Sequence, residues 1–101
     1  MRCGAWIAVL AALIAAPVAA QETRIGSKKF TESVILGEMA AQLAQGAGVP
    51  ARHRRELGGT RVLFEALLKG EIDAYAEYTG TITGELMKGL GLKTLDDIRK
   101  A

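Results

Sequence analysis

The chain has 101 residues, half of them hydrophobic, and its 13 lysines and arginines against 11 acidic residues leave a formal charge of +2. So near-neutral a balance argues against a nucleic-acid partner, which calls for concentrated positive charge. A single cysteine rules out an internal disulfide framework, and a single histidine makes a zinc site improbable.

Residues 1–20 have the form of an export leader. Arg2 gives the positive start, Ala5 to Ala20 is an uncharged apolar run, and Val18-Ala19-Ala20 offers a cleavage site of small or modest side chains. The expected cut falls between Ala20 and Gln21. A membrane anchor fits less well, because the run contains Pro17 and is shorter than the roughly 20 apolar residues of a spanning helix. Cys3 precedes the apolar stretch, whereas a lipid-bearing cysteine would follow it. The expected location is therefore periplasmic or otherwise extracytoplasmic. Residues 21–101 lack cysteine and tryptophan, and a domain of that size buries only a modest core.

Thr23-Arg24-Ile25-Gly26 predicts a short strand. Thr31 is placed to cap a helix, with Phe30 before it and Ile35 at the staple position. Ile35, Leu36, Met39, Leu43 and Ala47 recur at helical spacing and predict its apolar face, with Glu38 and Gln42 on the polar side. Gly46 and Gly48 end this helix and Pro50 prevents its return. Ala51 to Leu57 reads as a strand of mostly basic and polar residues. Gly58-Gly59-Thr60 is a turn, with Thr60 placed to cap a second helix on Val62, Leu63, Ala66 and Leu67 that Gly70 stops. Ile72, Ala74, Ala76 and Tyr78 then alternate with Asp73, Tyr75 and Glu77 along a third strand. A third helix is expected from near Thr81 through Ile82, Leu86 and Met87, broken at Gly89-Leu90-Gly91. Thr94-Leu95-Asp96-Asp97 opens a fourth, which reaches Ala101 without an ending and gives the sequence the look of the front of a longer protein. The order β-α-β-α-β-α with short connections predicts an α/β layer on a largely parallel sheet.

In such a sheet ligands bind at the carboxyl ends of the strands. Three polar turns fall there: Gly26 to Thr31, Gly58 to Thr60, and Thr79 to Thr81. Each leads into a helix N-terminus, where free N–H groups favour an anionic group. Lys28 adds a positive charge, although a solvated loop lysine is the plainer reading of it from pattern alone. Tyr78 is either a cation-binding ring or a core residue sharing the parity of Ile72, and the pattern does not decide. Tyr75, of opposite parity, is expected to pack elsewhere. His53, within Arg52-His53-Arg54-Arg55, reads as part of a solvated segment, and Asp73 and Glu77 as a solvent-facing strand edge. Ser27 and Ser33 show no base partner, and no Gly-x-Ser-x-Gly elbow or P-loop spacing occurs. Catalysis has no positive support, and no cofactor is implied.

Gly26-Ser27-Lys28-Lys29-Phe30-Thr31-Glu32, Gly59-Thr60 and Ile72-Asp73-Ala74-Tyr75-Ala76-Glu77-Tyr78-Thr79-Gly80-Thr81 together resemble the substrate-binding proteins of osmoprotectant ABC importers. The resemblance runs from about Thr23 to the chain end. It implies a periplasmic-binding-protein-like fold of two lobes closing on a ligand, here with 21–101 as an incomplete first lobe. It implies glycine betaine or a related zwitterionic quaternary amine as ligand and a membrane permease as partner. Lys28 matches the lysine that meets the ligand carboxylate, Tyr78 a tyrosine of the aromatic box, and Thr81 a position lining the pocket. Ser33 stands where many relatives carry glutamine, and Thr60 with Gly59 matches the motif turn. Family members are close to three times as long, so residues 21–101 alone are not expected to bind betaine with useful affinity. The alternatives are a binding protein for a polar amino acid or other small anion, a small secreted enzyme, and a nonfunctional remnant.

Overall fold

The computed structural model describes residues 21–101; the expected leader, Cys3 included, lies outside the described residues. Strand β1 (Thr23–Lys28) is followed by α1 (Thr31–Gly46), β2 (Ala51–Gly58), α2 (Thr60–Leu68) and β3 (Ala74–Tyr75). Then come α3 (Thr79–Thr81), running on into a π-helical turn (Ile82–Leu86), and α4 (Leu95–Lys100). The expected alternation is the observed order. The sheet is open, ordered β2-β1-β3, and both pairings are parallel. From central β1 the chain goes first to one side and then to the other. That reversal leaves a crevice beyond the carboxyl end of β1.

α1 has the expected length but not the expected face. Its buried residues are Ser33, Gly37 and Ala41, four apart, while Ile35 is 53 % exposed and Leu43 72 %. The physical reason is closeness. A Cβ on Gly37 would stand 2.5 Å from His53 Nε2 and 3.1 Å from Ser27 Cβ, so the helix sits on the sheet through its smallest side chains. The caps also differ. Phe30 and Gly59 are the extended N-cap residues, neither with a side-chain cap bond, and Thr31 and Thr60 are the first helical residues.

The core gathers around α2. Leu63, Ala66 and Ile72 form it, with Leu67 and Tyr75 packed against them. Gly26 lets this cluster close on β1, because a Cβ there would meet Ile72 Cδ1 at 2.8 Å and Leu63 Cδ1 at 2.9 Å. The strand expected from Ile72 to Tyr78 contracts to Ala74–Tyr75. Before it, Asp73 turns aside to Arg24: Asp73 N–H donates to the Arg24 carbonyl at 2.8 Å, and Arg24 N–H to Asp73 Oδ2 at 2.7 Å. The predicted parity fails accordingly. Tyr75 faces the core, Ala74 is exposed, and Glu77 turns inward.

Thr94 caps α4 as expected. Its Oγ1 accepts the Asp97 N–H at 3.1 Å, and Asp97 Oδ2 accepts the N–H groups of Lys93 and Thr94, each at 2.9 Å. Those donors hold the Asp97 carboxyl below its ordinary value of 3.8. A group lowered in the folded state contributes stability above its unfolded value and loses it as pH falls through the folded one. The Cα chemical shifts of 95–100 should therefore keep helical values from neutral pH down to the ordinary carboxylate range and lose them below it. Shifts unchanged through strong acid would contradict the cap.

Candidate ligand-binding site

The three turns at the carboxyl ends of the strands meet over the end of β1. Lys28, the last residue of that strand, is 4 % exposed, which overturns the solvated-lysine reading. Its N–H donates to Ser33 Oγ at 2.8 Å, and its side chain runs inward rather than out. Nζ lies 2.5 Å from Glu77 Oε1 and donates to Thr60 Oγ1 at 3.1 Å. Lys28, Thr60 and Glu77 thus join the turns after β1, β2 and β3. The same Glu77 oxygen accepts the Tyr78 N–H at 3.0 Å. Glu77 is therefore no strand-edge carboxylate. Its side chain is 7 % exposed and that of Lys28 6 %, a buried ion pair. Burial, and then the Glu77 carboxylate, push the neighbouring Tyr75 phenol up to about 12.

Two aromatic rings lie over this pair. Phe30 and Tyr78 stack with centroids 6.3 Å apart and planes 24° from parallel. The Lys28 ammonium is 5.5 Å from the first centroid and 5.8 Å from the second, within cation–π range. Tyr78 is 40 % exposed and Phe30 43 %, so Tyr78 is a surface wall and not a core residue. The Glu32 carboxylate, in the first turn of α1, holds the Tyr78 phenol above its ordinary value. The outcome is an exposed pair of rings seated on an ammonium that Glu77 neutralises from within.

Of the residues singled out in the sequence, Lys28, Tyr78 and Thr60 come together here. Ser33 is 2 % exposed and its oxygen serves the Lys28 backbone, so it shapes the site from behind. Thr81 is half-buried at the end of α3, three residues past Tyr78. From the sequence Glu77 reads as a strand edge and Phe30 as a helix-staple residue, and Glu32 has no assigned role. All lie inside the motif stretches, but nothing local shows that Glu77 turns inward.

Beneath the site the sequence expectations for His53 and Ser27 are both corrected. The His53 side chain is 4 % exposed. Its Nδ1 lies 2.8 Å from Glu38 Oε2 and its Nε2 2.8 Å from Ser27 Oγ. Ser27 therefore has a base beside it. Carboxylate, imidazole and hydroxyl stand in the order used for nucleophilic catalysis, yet Ser27 is 1 % exposed and its hydroxyl is sealed from any substrate. Among the described residues no group of histidine, cysteine and carboxylate side chains is placed to hold a metal ion. Nor is any described helix long and apolar enough to cross a membrane.

An open parallel sheet carries a ring pair and an ion-paired ammonium at its switch point, the place where such sheets bind small molecules. Comparison with known proteins gives the family. Residues 21–100 match the substrate binding domain of ABC-type glycine betaine transport systems, and the chain belongs to that family, whose members bind solutes and are not enzymes. The chain is 40 % identical over 73 residues to the glycine betaine-binding protein YehZ of Escherichia coli (strain K12), an alignment covering 71 % of this chain and 24 % of that protein. It is 36 % identical over 58 residues to the ergothioneine transport permease/ergothioneine binding protein EgtU of Helicobacter pylori (strain G27), covering 56 % of this chain and 10 % of that one. The chain thus spans a minor part of the length of the relatives it matches.

Proposed function

We propose that this chain supplies one wall of a site for a small zwitterionic quaternary amine of the glycine betaine kind. The site would belong to an extracytoplasmic solute-binding component, exported by its leader, that passes the ligand to a membrane permease. The observation that supports this most is the Phe30–Tyr78 ring pair over the Lys28–Glu77 ion pair. A quaternary ammonium cannot donate hydrogen bonds, so ring faces are the groups that attract it. Lys28 has three N–H donors. Two meet Glu77 and Thr60, and the third is left for a ligand carboxylate. Because Glu77 already cancels the lysine charge, the pair suits a ligand of zero net charge better than a simple anion. By the family resemblance Thr81 would line the same pocket, and a second lobe of the family fold would close over the rings.

Two exposed rings give a weak site by themselves. Cation–π contacts at exposed positions contribute about 0.5–1 kcal/mol each, so affinity no tighter than about millimolar, or about −4 kcal/mol, is expected. Titrating glycine betaine into the labelled chain should move the ring signals of Phe30 and Tyr78 in a saturable way, and Tyr78→Ala should abolish the response. Tetramethylammonium should reproduce the ring shifts and acetate should not. Acetate acting alone at Lys28 would instead favour the small-anion alternative. Ring signals unmoved at tens of millimolar betaine would sink the proposal.

A further inference from the structure

β1 and β2 run in register until Gly26 stands opposite Arg54, and then the register slips, with Lys28 opposite Gly58. On β2 the residues Arg55, Glu56 and Leu57 fall where β1 has Ser27 alone. Glu56 takes up the excess at φ 54, a left-handed conformation that side-chain-bearing residues seldom adopt. Its N–H donates to Ser27 Oγ at 3.2 Å. Past this bulge the chain reaches Gly58, whose carbonyl accepts the Lys29 N–H at 3.1 Å, and then Thr60, whose hydroxyl meets Lys28 Nζ.

Ser27 Oγ is therefore a junction, and its second partner is His53 Nε2. The protonation of this chain follows from donor counting. Glu38, ionised, only accepts, so Nδ1 carries the ring hydrogen, and in a neutral ring Nε2 then accepts. The Ser27 hydroxyl donates to Nε2 while its oxygen takes the Glu56 N–H. Every polar atom of this Glu38–His53–Ser27–Glu56 relay then has a partner. A protonated ring would aim a second N–H at Ser27 Oγ and turn the hydroxyl hydrogen away from its acceptor, in a residue 1 % exposed.

The charged groups around the ring are few. On α1 there is Glu38, whose carboxyl also accepts from Gln42 at 3.1 Å and feels Arg55. On β2, Arg52 is paired with Glu22 and Arg54 donates to the Glu71 carbonyl. On β1, the Lys28 ammonium is held by Glu77. Gly37 keeps the space open against Nε2.

We propose that His53, oriented by Glu38, is a positioning residue for the candidate site: its neutral ring fixes the Ser27 hydroxyl, Ser27 fixes the bulge at Glu56, and the bulge places Thr60 against Lys28. The role in recognition rests on the betaine reading above; the structural coupling does not. It makes the geometry at Lys28 answer to the tautomer of a ring that touches no ligand.

The test is nuclear magnetic resonance on the full, isotope-labelled chain without added ligand. The imidazole nitrogens should show the Nδ1–H tautomer at neutral pH. The amides of Glu56 and Lys28 and the Thr60 signals report the coupling. Glu38→Gln, at a half-exposed position where folding is not at stake, should mix the tautomers and shift the same three residues. His53→Ala should speed exchange of the Glu56 amide about tenfold, the scale of one buried hydrogen bond. His53→Gln, able to accept from Ser27, should restore part of the protection. An Nε2–H tautomer, or Glu56, Lys28 and Thr60 signals indifferent to Glu38→Gln, would overturn the proposal. Because no ligand enters, that failure is separate from a failure to bind betaine.

Discussion

Replacing Glu77 by alanine is expected to destabilise the chain by roughly 3–5 kcal/mol, the range for removing one partner of a buried ion pair. The loss comes mainly from what is left behind. The Lys28 side chain is 6 % exposed, so without Glu77 its ammonium faces Thr60 and two ring faces but no countercharge. Those groups solvate it less well than water does. The Tyr78 N–H loses its acceptor in the same step. The double variant Lys28→Met, Glu77→Leu removes both charges and should recover most of the lost stability, because buried pairs are often replaceable by apolar side chains of similar volume. Urea denaturation of the parent, the two single variants and the double variant closes the cycle. A cost below about 1 kcal/mol for Glu77→Ala, the level of a surface pair, would show that the pair is solvated. If the alanine variant does not fold at all, a folded double variant still identifies the stranded lysine as the cause.

This pair also shows where sequence reading stops. Lys28 and Glu77 are 49 positions apart, and each looks ordinary in its own segment: a lysine beside another lysine, and a glutamate in an alternating run. Burial of either is decided by the other. Element order was legible because it depends on local signals. Gly48 at φ 82 and Gly70 at φ 73 sit where helices were expected to end, and Thr94 with Asp97 spells a capping box within four residues. The motif turns were placed at the strand ends for the same reason, and the parallel sheet brings them together. His53 was missed because three arginines surround it in sequence, while its real neighbours, Ser27 and Glu38, come from β1 and α1. Tyr75 was misplaced, and Tyr78 left open, because alternation presumes a continuous strand, and β3 pairs for only two residues.

The second large effect separates the helix face that hydrophobicity suggests from the face that packing uses. Leu63 is fully buried at the centre of the cluster with Ala66 and Ile72, and its Cδ1 lies against Gly26 of β1. Leu63→Ala is expected to cost roughly 2–5 kcal/mol, from lost transfer energy plus the cavity left behind. Domain stabilities run at about 0.05–0.15 kcal/mol per residue, so in a chain this short the change takes away a large share of the total. Leu43 carries the same side chain on α1 and belongs to the run Ile35, Met39, Leu43 that predicts the apolar face of that helix. At 72 % exposure it has little to lose, and Leu43→Ala should stay within about 0.5 kcal/mol of the parent. Chemical denaturation of the two variants side by side compares one substitution in two environments. Equal losses would mean that α1 packs through its large residues, against the close seat that Gly37 gives it on β2. A large loss at Leu63 alone would place the sheet-to-helix core under α2, next to the turn that carries Tyr78.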